Sequence, residues 1–445
     1  MIQIINPNAA AGDVGSECIY VSIAGKPAEA FGTVTAELGR LRDYLLANQV
    51  DAFAMEFTGV YWMPLYELLE KTPIKVCLVN GGHVKSLPGR KTDVADCMWL
   101  ATLHAHGLLR PGFVPGPQIR RLRDYVRLRD NHVRQAGSHL QQVQKAMELM
   151  NIKVHDVISD MAGVSGQRII RAIVGGERNT EVLIGLCDEA IRNKKRQRLC
   201  DALQGTWAAQ HLFALRQAWK AWEFCQAQMA ECDGEIEIVL REMAQGAQPG
   251  DPPEDTEDRK AKRPSKNAPK ILDLHETLRK VLGGRNPTRI PGLGDGTVLS
   301  LISEVGTDLS LFPSEKHFTS WLGLAPGSRS SGQRKRSYSR KGGRAGQLFR
   351  MVAQTVGRTV NSGLGAAYRR IRSHRGGLVA SKALGRKLAE LYYRVMTRGM
   401  KYVEEGLEKA EKRYREQQSK RLNRLAQQMG FVLIPRDLNP QPTDS

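Results

Sequence analysis

The chain of 445 residues is long enough for two or three domains, and no apolar run approaches the roughly 18 residues of a membrane span. Lys and Arg number 66 against 46 Asp and Glu, a formal charge of +20 that asks for a polyanionic partner, nucleic acid before an acidic membrane. The seven cysteines (18, 77, 97, 187, 200, 225 and 232) contain no C-x-x-C pair, which argues against a disulfide framework or a zinc site and suits a reducing cytoplasm. With no signal-peptide core at the N-terminus, a soluble cytoplasmic protein is expected.

Residues 1–12 read as a flexible lead-in. From Asp13 the pattern is strand, strand, helix, strand, helix, strand, helix. Ile19, Val21 and Ile23 alternate as in a strand, and Leu38, Leu41, Leu45 and Leu46 mark an amphipathic helix. Residues 51–56 form a short strand ending on Glu56, 58–69 a second helix, and 74–79 an apolar strand. Thr92 can then cap a helix running through Leu103, which places Asp93 and Asp96 on one face. Strands alternating with helices predict an α/β layer over 13–115. Asp13, Glu56, Asp93 and Asp96 come from three elements that such a fold can gather at one sheet end, where paired Mg²⁺ (or Mn²⁺) ions would stabilise the oxygens of a phosphodiester. Singly, each reads equally as a surface acid, and two of them as ordinary first-turn acids favoured by the helix dipole.

Three strings carry a family resemblance: Gly12-Asp13-Val14-Gly15-Ser16, Met55-Glu56-Phe57-Thr58-Gly59-Val60-Tyr61-Trp62 and Lys91-Thr92-Asp93-Val94-Ala95-Asp96. They resemble the Asp-Glu-Asp-Asp motifs of the DEDD transposases of insertion-sequence family 110, which also includes the pilin-gene invertases. Where the family has a bulky apolar strand before the first acid, this chain has Ala9-Ala10-Ala11-Gly12. The resemblance implies a RuvC-like, RNase H-type N-terminal domain.

From Pro117 the period changes. Ile119, Val126, Val133, Leu140 and Met147 recur every seven residues, as do Leu122, Arg129, Ala136, Val143 and Met150, a seam broken by Arg129. A second seam runs Leu215, Ala218, Trp222, Cys225, Met229, Cys232, Ile236, Val239 and Met243. Either an antiparallel hairpin within the chain or an intermolecular coiled coil satisfies both seams, and Arg120, Arg121, Arg123, Arg127 and Arg134 point to nucleic-acid contact. The coiled-coil region spans 116–244, with shorter helices over 151–206; residues 245–270, rich in proline and charge, predict a disordered linker.

Residues 271–400 predict a mainly α domain. Ile290-Pro291-Gly292-Leu293-Gly294-Asp295 reads as a helix–hairpin–helix-like turn whose glycines let backbone N–H groups approach a phosphate, without the Gly-Lys-Ser/Thr ending of a nucleotide loop. Arg329, Arg334, Lys335, Arg336, Arg340, Lys341 and Arg344 follow with no acid among them, a charge density that expects an anion. Lys91 and the run Arg369, Arg370 and Arg372 extend the predicted nucleic-acid surface. Helices follow over Leu348 to Thr359, Leu364 to Ile371 and Lys382 to about Gln428, the part after 400 being a helical extension to 434, and residues 435–445 a disordered tail.

"IPG-x-G" followed by "LGLAP…SSG…SRKGG" is similar to the C-terminal domain of the same family. That similarity implies a serine nucleophile joined covalently to DNA: Ser331, with Ser330 the near rival and Ser337 and Ser339 outside bets. It further implies donor and target DNA chosen by a structured bridge RNA, and nucleoid association during action. The distance in sequence between acids and serine predicts a site shared between subunits of a dimer or tetramer. Two other functions fit the same residues: a RuvC-like junction endonuclease using metal-activated water, and a non-catalytic nucleic-acid scaffold.

Overall fold

The computed structural model describes residues 3–23, 26–56, 59–79, 92–246, 266–331, 334–338, 342–360, 362–399 and 401–433, with the backbone alone for 327–331, 334–338 and 401–411. The chain divides into two compact units, Met1–Val114 and Pro115–Ser445.

The first unit runs β1 (Ala9–Val14), β2 (Cys18–Ile23), β3 (Glu29–Gly32), α1 (Thr35–Ala47), β4 (Ala52–Glu56), α2 (Trp62–Leu69), β5 (Lys75–Val79) and α3 (Asp93–Ala105). Its five strands form one sheet in the order β3-β2-β1-β4-β5. β1 and β2 pair antiparallel, as do β2 and β3, whereas β1–β4 and β4–β5 are parallel. This mixed α/β sheet is consistent with the RuvC-like domain of a DEDD transposase. Alternation along each strand divides the side chains between two layers. Ala10, Val14, Phe53, Met55 and Leu78 pack with Leu38, Leu41 and Leu45 of α1 and Leu65 and Leu69 of α2. On the opposite face Ala11, Ala54 and Val79 pack with Leu100 and Ala101 of α3.

Two readings of this unit need correction. Residues 9–12 are not a lead-in but most of β1, the middle strand, and Ala9, Ala10 and Ala11 are fully buried. Their smallness is what the packing demands: a Cβ on Gly12 would lie 2.7 Å from Phe53 Cζ. The edge strand β3 went unforeseen, because among its four residues only Phe31 is bulky and apolar, too few for an alternating pattern.

The second unit opens with the long helix α4 (Pro117–Leu149), whose Pro117 sits in the first turn where a missing N–H costs nothing. The short helices α5 (Val154–Val157), α6 (Val164–Val174), α7 (Thr180–Gly185) and α8 (Glu189–Ala202) follow, and α9 (Ala209–Gly246) returns along α4. Contacts Arg121–Glu242 and Arg129–Asp233 fix the pair as antiparallel, since one number falls as the other rises. The two seams therefore meet within the chain. At their far end Val143, Met147, Ile169, Ile170, Leu183, Leu199 and Trp222 share one core with the short helices.

The chain continues through α10 (Leu274–Val281), a 3₁₀ turn at Pro287–Arg289, α11 (Asp295–Val305), α12 (Glu315–Trp321), the antiparallel hairpin β6 (Gly327–Ser331) and β7 (Arg334–Tyr338), α13 (Arg344–Gly357), α14 (Gly363–Arg375), α15 (Gly377–Arg398) and α16 (Lys401–Gln428). The expected single C-terminal helix is two, parted at Gly399, whose φ of 83° belongs to the left-handed region. Among the described residues no helix is long and apolar enough to cross a membrane. The predicted linker is outside the described residues over 247–265, as is the predicted tail.

Candidate active site

Asp13 and Glu56 are placed by strand pairing. Gly12 and Met55 are register partners in the parallel pair β1–β4, so the next residues, Asp13 and Glu56, stand side by side at the carboxyl ends of neighbouring strands. Each acid lies two residues beyond an alanine of the α3-covered layer, Ala11 and Ala54, so both side chains leave the sheet on that face.

α3 brings the other pair. Thr92, extended at φ −129° and ψ 146°, accepts the Ala95 N–H through its hydroxyl and caps the helix, leaving Asp93 and Asp96 in the first turn. Cys97, buried beside them, donates from Sγ to the Ala11 carbonyl of β1 at 3.3 Å, which ties this turn to the strand that carries Asp13. Burial pushes the Cys97 thiol up to about 12, with the nearby Asp13 charge adding to the effect, so it stays a neutral donor at pH 7. Tyr20, the register partner of Asp13 on β2, has its phenol raised chiefly by Cys18 and more weakly by Asp93. Asp13 therefore lies near Cys97 and Asp93 near Tyr20, Asp96 immediately precedes Cys97 on α3, and Glu56 stands next to Asp13 on the same face.

Oxygen-only donors of this kind suit Mg²⁺ or Mn²⁺ and not a soft metal. Asp93 and Asp96 are exposed, and no described cation forms an ion pair with either. No three of these four acids bring oxygens within 4.8 Å of one another; among the described residues only Glu148, His155 and Asp156 make such a trio. There Lys153 already pairs with Glu148, and His155 Nε2 lies 2.8 Å from it.

In the second unit the serines lie on the hairpin. Its backbone register pairs Ser331 with Arg334, Ser330 with Lys335, Arg329 with Arg336 and Ser328 with Ser337. Sequence reading missed these strands; the glycine of Ser331-Gly332-Gln333-Arg334, between two runs of five residues, was the available signal. Lys91, Arg340 and Lys341 lie outside the described residues.

Several arginines expected on the nucleic-acid surface are engaged within the chain. Arg344 at the start of α13 bonds Asp130 at 2.8 Å and lies 3.8 Å from Glu304. Arg127 grips Glu304 with two hydrogen bonds of 2.9 and 2.8 Å, and Arg123 donates to the carbonyls of Ser303 and Glu304. Arg120 is buried and donates to the Pro115 carbonyl at 3.0 Å, and Arg121 pairs with Glu242. Arg134 donates within its own helix, to Asn131. These helix charges, read as outward, mostly fasten α4 to α9 and to α11. Arg369 donates to the carbonyls of Gly357, Thr359 and Val360 at 3.2, 2.6 and 2.8 Å, closing the end of α13, whereas Arg370 and Arg372 extend α14. Gly292, expected to admit a phosphate, has φ +85°, and a Cβ there would meet Val356 Cγ2 at 2.5 Å, so its lack of a side chain seats the turn on α13.

Residues 24–152 match a family model for DEDD transposases of the IS110 type, described as a transposase. Residues 286–369 match another, described as a transposase of the IS116/IS110/IS902 family. Glu56, Asp93 and Asp96 fall within the first match and Ser330 and Ser331 within the second, while Asp13 precedes both. No curated protein matches the chain. Two matches to one family, the first from β3 through α4 and the second over the serine hairpin, support an IS110-family transposase, an enzyme of DNA strand transfer.

Proposed function

We propose that the protein cuts and rejoins DNA strands through a serine–DNA intermediate, guided by a structured bridge RNA. The observation that carries the catalytic half is the placement of Asp13, Glu56, Asp93 and Asp96 at one end and on one face of a single sheet. A divalent ion bound between these carboxylates would offset their mutual repulsion as they converge on it, and draw charge from a phosphodiester oxygen. Ser331, with Ser330 as the rival, supplies the nucleophile. Its Oγ bonds to phosphorus as the bond from phosphorus to one strand's oxygen breaks; the hydroxyl proton passes to solvent, and a free strand end later reverses the exchange. Serine is a weak nucleophile near neutral pH, and the cationic hairpin sequence around it favours the oxyanion form. The net charge of +20 suits an RNA held by shape and backbone, with base pairing choosing the target. Acids from one subunit and serine from another would complete each site.

The test is to trap protein–DNA adducts with Mg²⁺ and map the modified residue by mass spectrometry. An adduct on Ser331 or Ser330, lost in Ser331→Ala and Ser330→Ala together and in Asp96→Asn, is the expected result. Cleavage by the double serine variant without any adduct would instead favour a junction nuclease using water, which the acid cluster alone would suffice to support.

A further inference from the structure

Three helices of the second unit line a half-open cavity of about 240 Å³, to which neither the acid-bearing sheet nor the serine hairpin contributes a lining residue. Each wall contributes residues one helical turn apart. Gln354 and Arg358 come from the end of α13, Tyr368 and Arg372 from α14, and Leu378 and Ser381 from the start of α15.

The floor is built, not incidental. Tyr368 is buried against Gly357, where a Cβ would come within 2.3 Å of its ring. Its hydroxyl lies 3.4 Å from Ser381 Oγ, which donates to the Gly377 carbonyl at 2.8 Å. Arg369 holds the carbonyls on either side of Arg358 and so fixes that rim.

The charges do not balance. Between Arg344 and Arg398 there are twelve Lys and Arg and one acid, Glu390, which Arg386 already engages at 3.0 Å. Among the described residues the guanidinium groups of Arg358 and Arg372 have no ion-pair or hydrogen-bond partner. α15 opens at the cavity wall with no side chain capping its first turn, adding the positive end of a helix dipole. Leu378, 74% exposed, supplies an apolar edge at the mouth.

We infer that this cavity seats a phosphodiester group of the bound nucleic acid, with Arg358 and Arg372 as its two cationic arms and the apolar edge of Leu378 against the adjoining sugar or base. The inference rests on the nucleic-acid partner proposed above and adds a contact that acts in binding, not in the strand chemistry.

The test measures binding of the full chain to a mixed-sequence DNA duplex, a single-stranded DNA and an RNA hairpin over a range of salt. Arg358→Gln/Arg372→Gln should weaken binding to at least one of them about tenfold. It should also make the slope of log K against log salt shallower by about one. Arg415→Gln/Arg421→Gln removes the same charge from exposed residues of α16, outside the cavity lining, and should weaken binding far less. Leu378→Asp, at an exposed position that folding tolerates, should reproduce the loss by placing an anion in the mouth. Whichever probe is affected identifies the strand that is seated. If the two double variants lose affinity equally, or the cavity variants bind as the parent does, the cavity assignment fails while nucleic-acid binding stands. A parent protein that binds none of the probes overturns the nucleic-acid reading itself.

Discussion

At Arg129 an apparent flaw in the heptad seam turns out to be a buried connection. Its guanidinium, 7% exposed, meets Asp233 of α9 at 2.5 Å and donates to the Asn267 carbonyl at 3.0 Å, while the Lys270 N–H reaches the same carboxylate at 2.9 Å. Arg129→Leu would strand the Asp233 charge and cost about 3–5 kcal/mol in a urea titration. Arg129→Leu/Asp233→Leu should recover only part of that, because the Asn267 carbonyl and the Lys270 N–H would lose their partners as well. A double variant as stable as the parent would show the pair to be dispensable. The break in periodicity was visible in the sequence, but the partner stands 104 positions away and nothing local marks it. The alanines before Asp13 teach the same lesson from the other side. Their size looked like a departure from a strand, and only the approach of α3 and Phe53 from opposite faces explains it.

Between elements, the periodic pattern carried most of the α/β sheet and both long helices, since those rest on alternation and heptads. It did not carry β3, the β6–β7 hairpin or the stop at Gly399, where the stretches are short, polar or set by a single backbone angle. The junction of α12 and α15 gives an element-level prediction. Arg394 holds Glu315 through bonds of 2.5 and 2.7 Å, and those hydrogen bonds, ahead of its charge, keep the Glu315 carboxyl below the usual range. A carboxylate whose folded value is depressed stabilises fully above its unfolded pKa of about 4.3 and loses that contribution as pH falls through the lower folded value. Glu315→Gln should therefore cost about 1 kcal/mol near pH 7 and progressively less on acidification, so that parent and variant converge once the pH is below the depressed folded value. Thermal unfolding at several pH values checks it, and a gap that persists at acid pH would assign the contact to packing instead.

For the whole molecule, the acids lie in one compact unit and the serines in the other, and the site proposed to be shared between subunits is open to a direct test. Mixing Asp96→Asn protein with Ser331→Ala protein tests the proposed shared site: each should be inactive alone, and hetero-oligomers should regain strand exchange in roughly the fraction of sites that pair two intact halves. No recovery on mixing, with hetero-oligomers present, would place both halves of each site in one subunit. Meanwhile α4 and α9, at 33 and 38 residues, lie alongside each other in opposite directions. Such a rod is about 50 Å long and acts as a ruler, holding the core built with α5 to α8 at a set reach from the α10–α15 assembly. Seven residues added to both helices at matched levels would keep every seam contact in phase and move that core outward by about 10 Å. Reach and stability are thereby separable quantities in this chain, and the length of the rod can change without rewriting the interfaces at either end.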